Sequence, residues 1–153
     1  MIACLRIPHF AARVLQWDDP ALTERPRVLV RYPKGRGRVV ATCPQAEGAG
    51  VAVGMSVSRA RALCPEAQIE VVALSRIRRA LEAVMALLTD YSQWIEAERA
   101  FLQTACVFVD LGRLRASEGE GLARAMQSRL LESHGLNASI GLAANRFTAG
   151  AAA

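Results

Sequence analysis

The side chains best suited to metal or nucleophilic chemistry are four cysteines and two histidines, and their spacing argues against a shared site. Cys4, Cys43, Cys64 and Cys106 lie far apart in the chain and form no CxxC pair. A structural zinc site needs closely spaced cysteine or histidine ligands, so we predict none here. We expect all four thiols to be buried as small apolar side chains, Cys106 on its apolar strand included. His9 has no second ligand beside it and is interpreted as an ordinary packed or surface histidine.

Phosphate binding is a second chemistry that the sequence indicates, at a predicted turn. Lys34, Arg36 and Arg38 alternate with Gly35 and Gly37 between two apolar runs. This arrangement predicts a β-hairpin with a positively charged tip. Such a tip either contacts a DNA backbone or is an ordinary solvated turn, and the sequence leaves both interpretations open.

The overall composition is that of about one globular domain with an excess of basic side chains. Of the 153 residues, 52% are hydrophobic and 22% are charged, which is enough apolar material for a core. The net charge of +5 favours polyanionic partners. No segment approaches the roughly 18 successive apolar residues of a membrane span, and the first residues lack the pattern of a signal peptide. A cytoplasmic location is therefore predicted.

The elements that position these groups alternate between strands and helices. Strands are predicted at residues 1–7, 27–32, 38–42, 69–72, 94–97, 105–111 and 137–143. Helices are predicted at 8–17, 56–63, 75–91 and 117–133, and Asn145 could cap a last one. Ser75 and Ser117 are the expected N-caps and Gly135 the expected stop after the fourth helix. With residues 11–72 set aside, the order is that of a ferredoxin-like (split βαβ) α+β fold.

Several segments, taken in order, resemble the Y-family (UmuC/DinB-type) DNA polymerases. They are DDPALTERPRVLV, then RVVATCPQAEGAGVAVGM, then DYSQWIEAERAFLQTACVFVDL, and finally GLNASIGLAANRFTAGAAA. The resemblance covers essentially the whole chain, and GVAVGM and SIGLAANRFTA are its most distinctive pieces. It implies a palm formed by residues 1–10 and 73–153 with an inserted fingers subdomain at 11–72. The thumb and little-finger domains of the family are expected to lie outside these 153 residues, so we interpret the chain as a fragment.

Active members of the family hold two magnesium ions on three carboxylates, and the resemblance implies that this chain lacks them. The first carboxylate position corresponds to Arg6, and the adjacent pair corresponds to Ala105 and Cys106. Magnesium requires hard oxygen ligands, so none of these side chains is suitable. The resemblance also places Glu47 where an arginine would clamp a triphosphate. Arg146 is the basic residue nearest to the position of a lysine that active members carry.

These replacements lead to the prediction of a catalytically inactive homologue of the ImuB-like subgroup, not an enzyme, with no metal cofactor. Its implied role is that of an accessory hub in translesion synthesis and induced mutagenesis. The implied partners are primer–template DNA, an error-prone DnaE-type polymerase, a RecA-like accessory protein and the sliding clamp. The predicted DNA-binding residues are Lys34, Arg36, Arg38 and Arg146. The alternative is a divergent, active DNA-directed DNA polymerase that binds Mg²⁺ through Asp110, Glu96 or Glu98. A protein-interaction module without DNA affinity is a third possibility.

Overall fold

The computed structural model describes residues 1–17, 25–32 and 37–153. Its described strands are β1 (Ile2–Pro8), β2 (Arg27–Val30), β3 (Val39–Thr42), β4 (Gln68–Val71), β5 (Ile95–Ala97), β6 (Thr104–Asp110) and β7 (Ser139–Ala143). The described helices are α1 (Phe10–Gln16), α2 (Pro44–Gly48), α3 (Val57–Leu63), α4 (Leu74–Leu88), α5 (Ala116–His134) and α6 (Arg146–Ala152). No described helix is long and apolar enough to cross a lipid bilayer.

The strands form two separate sheets. The larger sheet has the antiparallel order β5-β6-β1-β7, and the smaller has the order β3-β2-β4. The central strands β1 and β6 are apolar along most of their length because both faces of the larger sheet are covered in part. The predicted α+β fold with a ferredoxin-like larger sheet is confirmed. The predicted hairpin pairing of β2 with β3 is also confirmed.

One face of the larger sheet packs on α4 and α5 and forms the main core. Ala3, Leu5 and Ile7 of β1 alternate onto this face and are fully buried with Val107 and Val109 of β6. The alternation leaves Cys4 and Arg6 on the opposite face, which we call the open face, where α6 covers one side. Phe10, Ala11 and Val14 of α1 also belong to the main core. A second cluster, which includes Val28, Val30 and Val39, lies in the smaller sheet.

Several predicted element ends are wrong by one to three residues, for local reasons. Pro8 ends β1, paired with Thr104, and is not in the first turn of α1. Ala73, not Ser75, is the N-cap of α4. The helix α5 begins before Ser117, because the Glu118 carboxylate accepts the backbone N–H of Arg115 at 2.8 Å. Asn145 caps α6 as predicted, accepting the N–H of Thr148 at 2.9 Å.

The helix α2 was not predicted, and a cysteine explains it. Cys43 is its N-cap, and the sulfur accepts backbone N–H groups from Arg27 at 3.1 Å and Ala46 at 3.4 Å. Pro44 follows at the first helical position, where its missing N–H costs nothing. The N-cap residues that a sequence reveals are those with a side-chain oxygen, such as Ser, Thr, Asp and Asn. A cysteine N-cap was therefore not recognised, and the helix was not predicted.

Candidate nucleic-acid interface

The structure brings Arg6 and Cys106 together on the open face, at the centre of the larger sheet. Arg6 of β1 lies directly opposite Cys106 of β6 in the antiparallel register. Both line a pocket of about 470 Å³ with Cys4, Glu98 and Phe108, and Arg146 of α6 forms part of its wall. We call this the open-face pocket. The two residues therefore lie in one site. The resemblance implies the same, because it assigns them to two of the carboxylate positions that hold magnesium in active members.

Ala105, the third residue assigned to this site, points the other way. It pairs with Ile7 and is fully buried in the main core beneath the sheet. Neighbouring residues of a regular strand face opposite sides of the sheet, which separates its side chain from that of Cys106. The structure therefore does not bring Ala105 into the open-face pocket.

The two thiols of this face are held protonated. Burial raises the pKa of the Cys4 thiol to about 11, and the charges of Cys106 and Glu98 add to the effect. Burial, followed by the negative charge of Glu98, also raises the pKa of Cys106, although the Arg6 guanidinium opposes the shift. Cys106 is half-buried, so its expected complete burial is wrong, whereas Cys4, Cys43 and Cys64 are buried as predicted.

We expect Cys106 to be alkylated by iodoacetamide at pH 8 more slowly than a free thiol, because only the thiolate reacts. Glu98→Gln removes a negative charge that raises the pKa of Cys106, so the thiolate fraction and the labelling rate should rise. Mass spectrometry of the labelled peptides measures both rates. Glu132→Gln, an exposed change on α5, is the control and should leave the rate unchanged. An equal rate in the Glu98→Gln and Glu132→Gln variants would show that Glu98 does not act on this thiol.

Of the three acidic residues considered as alternative ligands, the structure brings one to the open-face pocket. Glu98 lines the pocket beside Cys106. Glu96 is paired with Arg146, at 2.7 Å between Oε2 and Nη1. Asp110 accepts the N–H of Gly112 at 2.8 Å. It lies four residues beyond Cys106 along β6, which is roughly 13 Å in a strand. In the described parts of the chain, no group of three His, Cys, Asp or Glu residues could hold a metal ion.

Arg146 is exposed but already engaged. Its guanidinium carbon lies 4.3 Å from the centre of the Phe108 ring, and the same side chain forms the ion pair with Glu96. Arginine over an aromatic face is a favourable arrangement. A phosphate would therefore compete with Glu96 for this predicted DNA-binding residue.

The predicted basic hairpin tip lies partly outside the described residues. Lys34 and Arg36 fall in the undescribed segment 33–36. Arg38 is exposed, and its Nη1 donates to the carbonyl oxygen of Gly54 at 2.8 Å. This hydrogen bond fixes the side chain and leaves the other guanidinium N–H groups for a ligand.

His9 joins the two sheets, which the sequence did not reveal. Its Nδ1 donates to the Thr42 carbonyl oxygen at 2.8 Å, and its Nε2 lies 3.0 Å from a carboxylate oxygen of Glu47. Gln103, just before β6, accepts the buried Thr42 N–H through Oε1 at 2.7 Å. Glu47, which stands at the position where active members carry a triphosphate-clamping arginine, thus contacts a histidine. His9 is packed, as interpreted.

We expect Gln103→Ala to lower the free energy of unfolding by about 1–3 kcal/mol, because the buried Thr42 N–H loses its acceptor. Urea denaturation measures the change. Gln93→Ala removes the same side chain from an exposed position and should change stability by less than about 0.5 kcal/mol. Equal stability of the two variants would contradict the role given to Gln103.

A second cavity, of about 540 Å³, lies between the two sheets and joins the open-face pocket at Arg6, Glu98 and Cys106. Four arginines line it, from four different parts of the chain: Arg6, Arg31, Arg78 and Arg99. We call this the arginine cleft. The sequence gave no indication that these four side chains lie together. Their convergence depends on the packing of the two sheets.

Comparison with known proteins places this architecture among the Y-family (UmuC/DinB-type) DNA polymerases. In solved structures, the chain is similar to a post-insertion binary complex of Dbh DNA polymerase, with a TM-score of 0.86 and 23% identity. A DinB structure from Sulfolobus solfataricus gives a TM-score of 0.85 and 23% identity. Each match covers 98% of this chain and 44% of the solved chain. At these identities, the likeness shows the fold.

The chain belongs to the impB/mucB/samB family, whose model matches residues 5–153. It is 33% identical over 143 residues to the DNA polymerase IV of Alkalilimnicola ehrlichii. It is 32% identical over 143 residues to that of Halorhodospira halophila. Each match covers 92% of this chain and 39% of the relative, so the chain spans about two fifths of the length of these relatives.

These relatives overturn one prediction. The replacement of the carboxylates led us to expect that the chain is not an enzyme, but the similar proteins are named DNA polymerase IV. That expectation is wrong. It depended on replacements at three positions, whereas the similarity to proteins that are named as enzymes extends over nearly the whole chain. Assignment to the ImuB-like subgroup stays a prediction.

The positions assigned to the magnesium ligands do not fit two cations. Arg6 is positively charged and repels a divalent cation. Cys106 is a protonated, soft ligand, and Ala105 lies under the sheet. A single carboxylate, Glu98, is left beside them among the described residues of the open-face pocket. No step of nucleotidyl transfer is therefore assigned to these positions.

Proposed function

We propose that this chain forms the palm and fingers of a DNA-directed DNA polymerase of the Y family that works on primer–template DNA in translesion synthesis. The observation that carries the proposal is similarity over 92% of the chain to proteins named DNA polymerase IV. The palm comprises residues 1–10 and 73–153, and the fingers comprise residues 11–72. The larger and smaller sheets fall in these two parts and support the division.

The charge of the described surface supports a nucleic-acid partner. The chain carries a net charge of +5, and the arginine cleft opens between the proposed palm and fingers. Arg38 contributes exposed donors on the fingers side. We propose that Lys34 and Arg36, like Arg38, bind the DNA backbone. Arg146 should contribute less, because Glu96 neutralises part of its charge.

Other partners are proposed from the resemblance alone. They are an error-prone DnaE-type polymerase, a RecA-like accessory protein and the sliding clamp. Parts of the protein outside these 153 residues would contact them, in the cytoplasm with the DNA. Arg6, Ala105 and Cys106 cannot form a magnesium-binding site. Any cations that the proposed polymerase binds would therefore need other ligands.

Binding of labelled primer–template DNA to the full-length protein, followed by fluorescence anisotropy at several salt concentrations, tests the proposal. We expect binding that weakens with salt, because phosphate contacts release counterions. Arg38→Gln should reduce the slope of log K against log salt by about 0.9, the value for one lost phosphate contact. Arg124→Gln removes the same charge from the exposed side of α5 and is the control. Absence of binding at low salt would overturn the proposal and favour a protein-interaction module.

A further inference from the structure

Two thiols lie close together on the open face of the larger sheet, and the proposed polymerase function uses neither of them. Cys4 of β1 pairs with Phe108 of β6, and Cys106 lies two residues along β6 from Phe108. Residues two apart in a strand share a face, so Cys4 and Cys106 are diagonal neighbours on one side of the sheet. Both line the open-face pocket. Cys4 is fully buried beside this pocket, whereas Cys106 is half-buried.

The spacing of the two thiols suits a bridging ion better than a disulfide. Diagonal neighbours on an antiparallel pair are roughly 7–8 Å apart, somewhat less between Cβ atoms. A disulfide requires Cβ atoms roughly 3.5–4.5 Å apart, so the two strands would have to move to form one. An ion held by both sulfur atoms replaces one sulfur–sulfur bond of about 2.05 Å by two metal–sulfur bonds of about 2.3 Å each. That added length spans the diagonal.

The ligand set selects a soft monovalent cation. Thiolates prefer soft ions, and Cu⁺ is satisfied by two thiolates in a linear arrangement. A divalent ion such as Zn²⁺ needs three or four protein ligands. Over residues 1–17, 25–32 and 37–153, no group of three His, Cys, Asp or Glu residues could supply them. The pair of thiols is therefore sufficient for Cu⁺ and insufficient for Zn²⁺.

The charged side chains around the pair act on the bound state in opposite directions. When a monovalent cation binds, both S–H bonds break, two sulfur–metal bonds form and two protons pass to the solvent. Two thiolates around one positive ion leave one net negative charge in the pocket. Burial and Glu98 raise the pKa of both thiols, and Arg6 opposes that shift at each of them. Arg6 therefore stabilises the negatively charged complex, and Glu98 destabilises it.

We propose that Cys4 and Cys106 form a two-coordinate binding site for a soft monovalent cation of the Cu⁺ class. Cys106 is the ligand that an ion from the solvent meets first, and Cys4 completes the site from the neighbouring strand. Coordination to a metal deprotonates a thiol outright, so the protonated state of the free thiols lowers the affinity and does not prevent binding. The site requires no catalysis and does not depend on the proposed polymerase function.

Anaerobic titration of the full-length protein with Cu⁺, in competition with a chromogenic chelator, tests the proposal. The ultraviolet charge-transfer absorption from thiolate to metal reports sulfur ligation directly. Cys4→Ala and Cys106→Ala should each bind one Cu⁺ ion fewer per chain than the natural protein and lose the corresponding absorption. Cys64→Ala removes a buried thiol from the core of the smaller sheet and is the matched control. It should bind as many ions as the natural protein.

Two charge variants with opposite expected effects separate ligation from a loss of folding. Arg6→Gln should weaken Cu⁺ binding by about tenfold or more, as is usual for groups that support metal ligands. Glu98→Gln should strengthen it. Cu⁺ binding that Cys106→Ala leaves unchanged would overturn the inference, and so would weakening by Arg6→Gln and Glu98→Gln alike. Zn²⁺ binding to this pair as tight as Cu⁺ binding would overturn it as well. None of these results bears on primer extension, so the proposed function is tested separately.

Discussion

The double substitution Arg6→Asp with Cys106→Glu should create a divalent-cation site where the natural chain has none. The two positions lie directly opposite each other on the open face, and cross-strand neighbours have Cβ atoms roughly 4.5–5.5 Å apart. Glu98 borders the same pocket and would supply a third carboxylate. Three carboxylates in place of one arginine, one neutral thiol and one carboxylate turn a set of side chains with no net charge into a strongly negative one and provide hard oxygen ligands.

Calorimetric titration with Mn²⁺ measures this effect. We expect the double variant to bind Mn²⁺ at least about tenfold more tightly than the natural chain, which corresponds to about 1.4 kcal/mol. A control with Arg59→Asp and Ser128→Glu makes the same change in net charge but places the carboxylates on separate helices, α3 and α5. Equal affinities of the double variant and the control would contradict the arrangement described for the open-face pocket.

Gly141→Ala should destabilise the chain by about 3 kcal/mol, because the backbone of α6 lies directly on β7 at this residue. An added Cβ would collide with the carbonyl oxygen of Ala149 and lie 2.5 Å from the backbone nitrogen of Ala153. Backbone atoms cannot turn away as a side chain can, so α6 would have to shift off the open face. Overpacking of this kind typically costs 1–3 kcal/mol and sometimes more.

Gly121→Ala provides the matched comparison for this prediction. Gly121 lies inside α5, and nothing within 4 Å would meet its Cβ. The same chemical change should therefore stabilise the chain by about 0.5–1 kcal/mol, through the higher helix propensity of alanine. Urea denaturation gives both values. A Gly141→Ala variant as stable as Gly121→Ala would show that α6 does not pack as described.

Local patterns predicted most of the fold because they act within a few residues. The buried strands β1 and β6 follow from apolar runs, and the stop after α5 follows from Gly135, which takes the left-handed conformation that glycine favours. The helix α2 was missed because its cap is the sulfur of Cys43. The early start of α5 was missed because its N-cap is Arg115, whose backbone N–H donates to the Glu118 carboxylate, and not a serine.

The site was less predictable because it depends on packing between distant segments. The resemblance predicted that Arg6 and Cys106 share one site, and the antiparallel register of β1 and β6 places them directly opposite each other. Strand alternation alone would have separated Ala105 from Cys106. The convergence of Arg31, Arg78 and Arg99 could not be read from the sequence, because the docking of the two sheets determines it. The contacts of His9 with Thr42 and Glu47 depend on the same docking.

Primer extension by the full-length protein tests the central proposal most directly. The substrates are a primer–template with an undamaged template base and one with an abasic site, together with the four deoxynucleoside triphosphates and either Mg²⁺ or Mn²⁺. We expect template-directed incorporation on the undamaged template and continued extension past the lesion. A protein that binds the same primer–template but leaves the primer unextended with both metals would contradict the proposal.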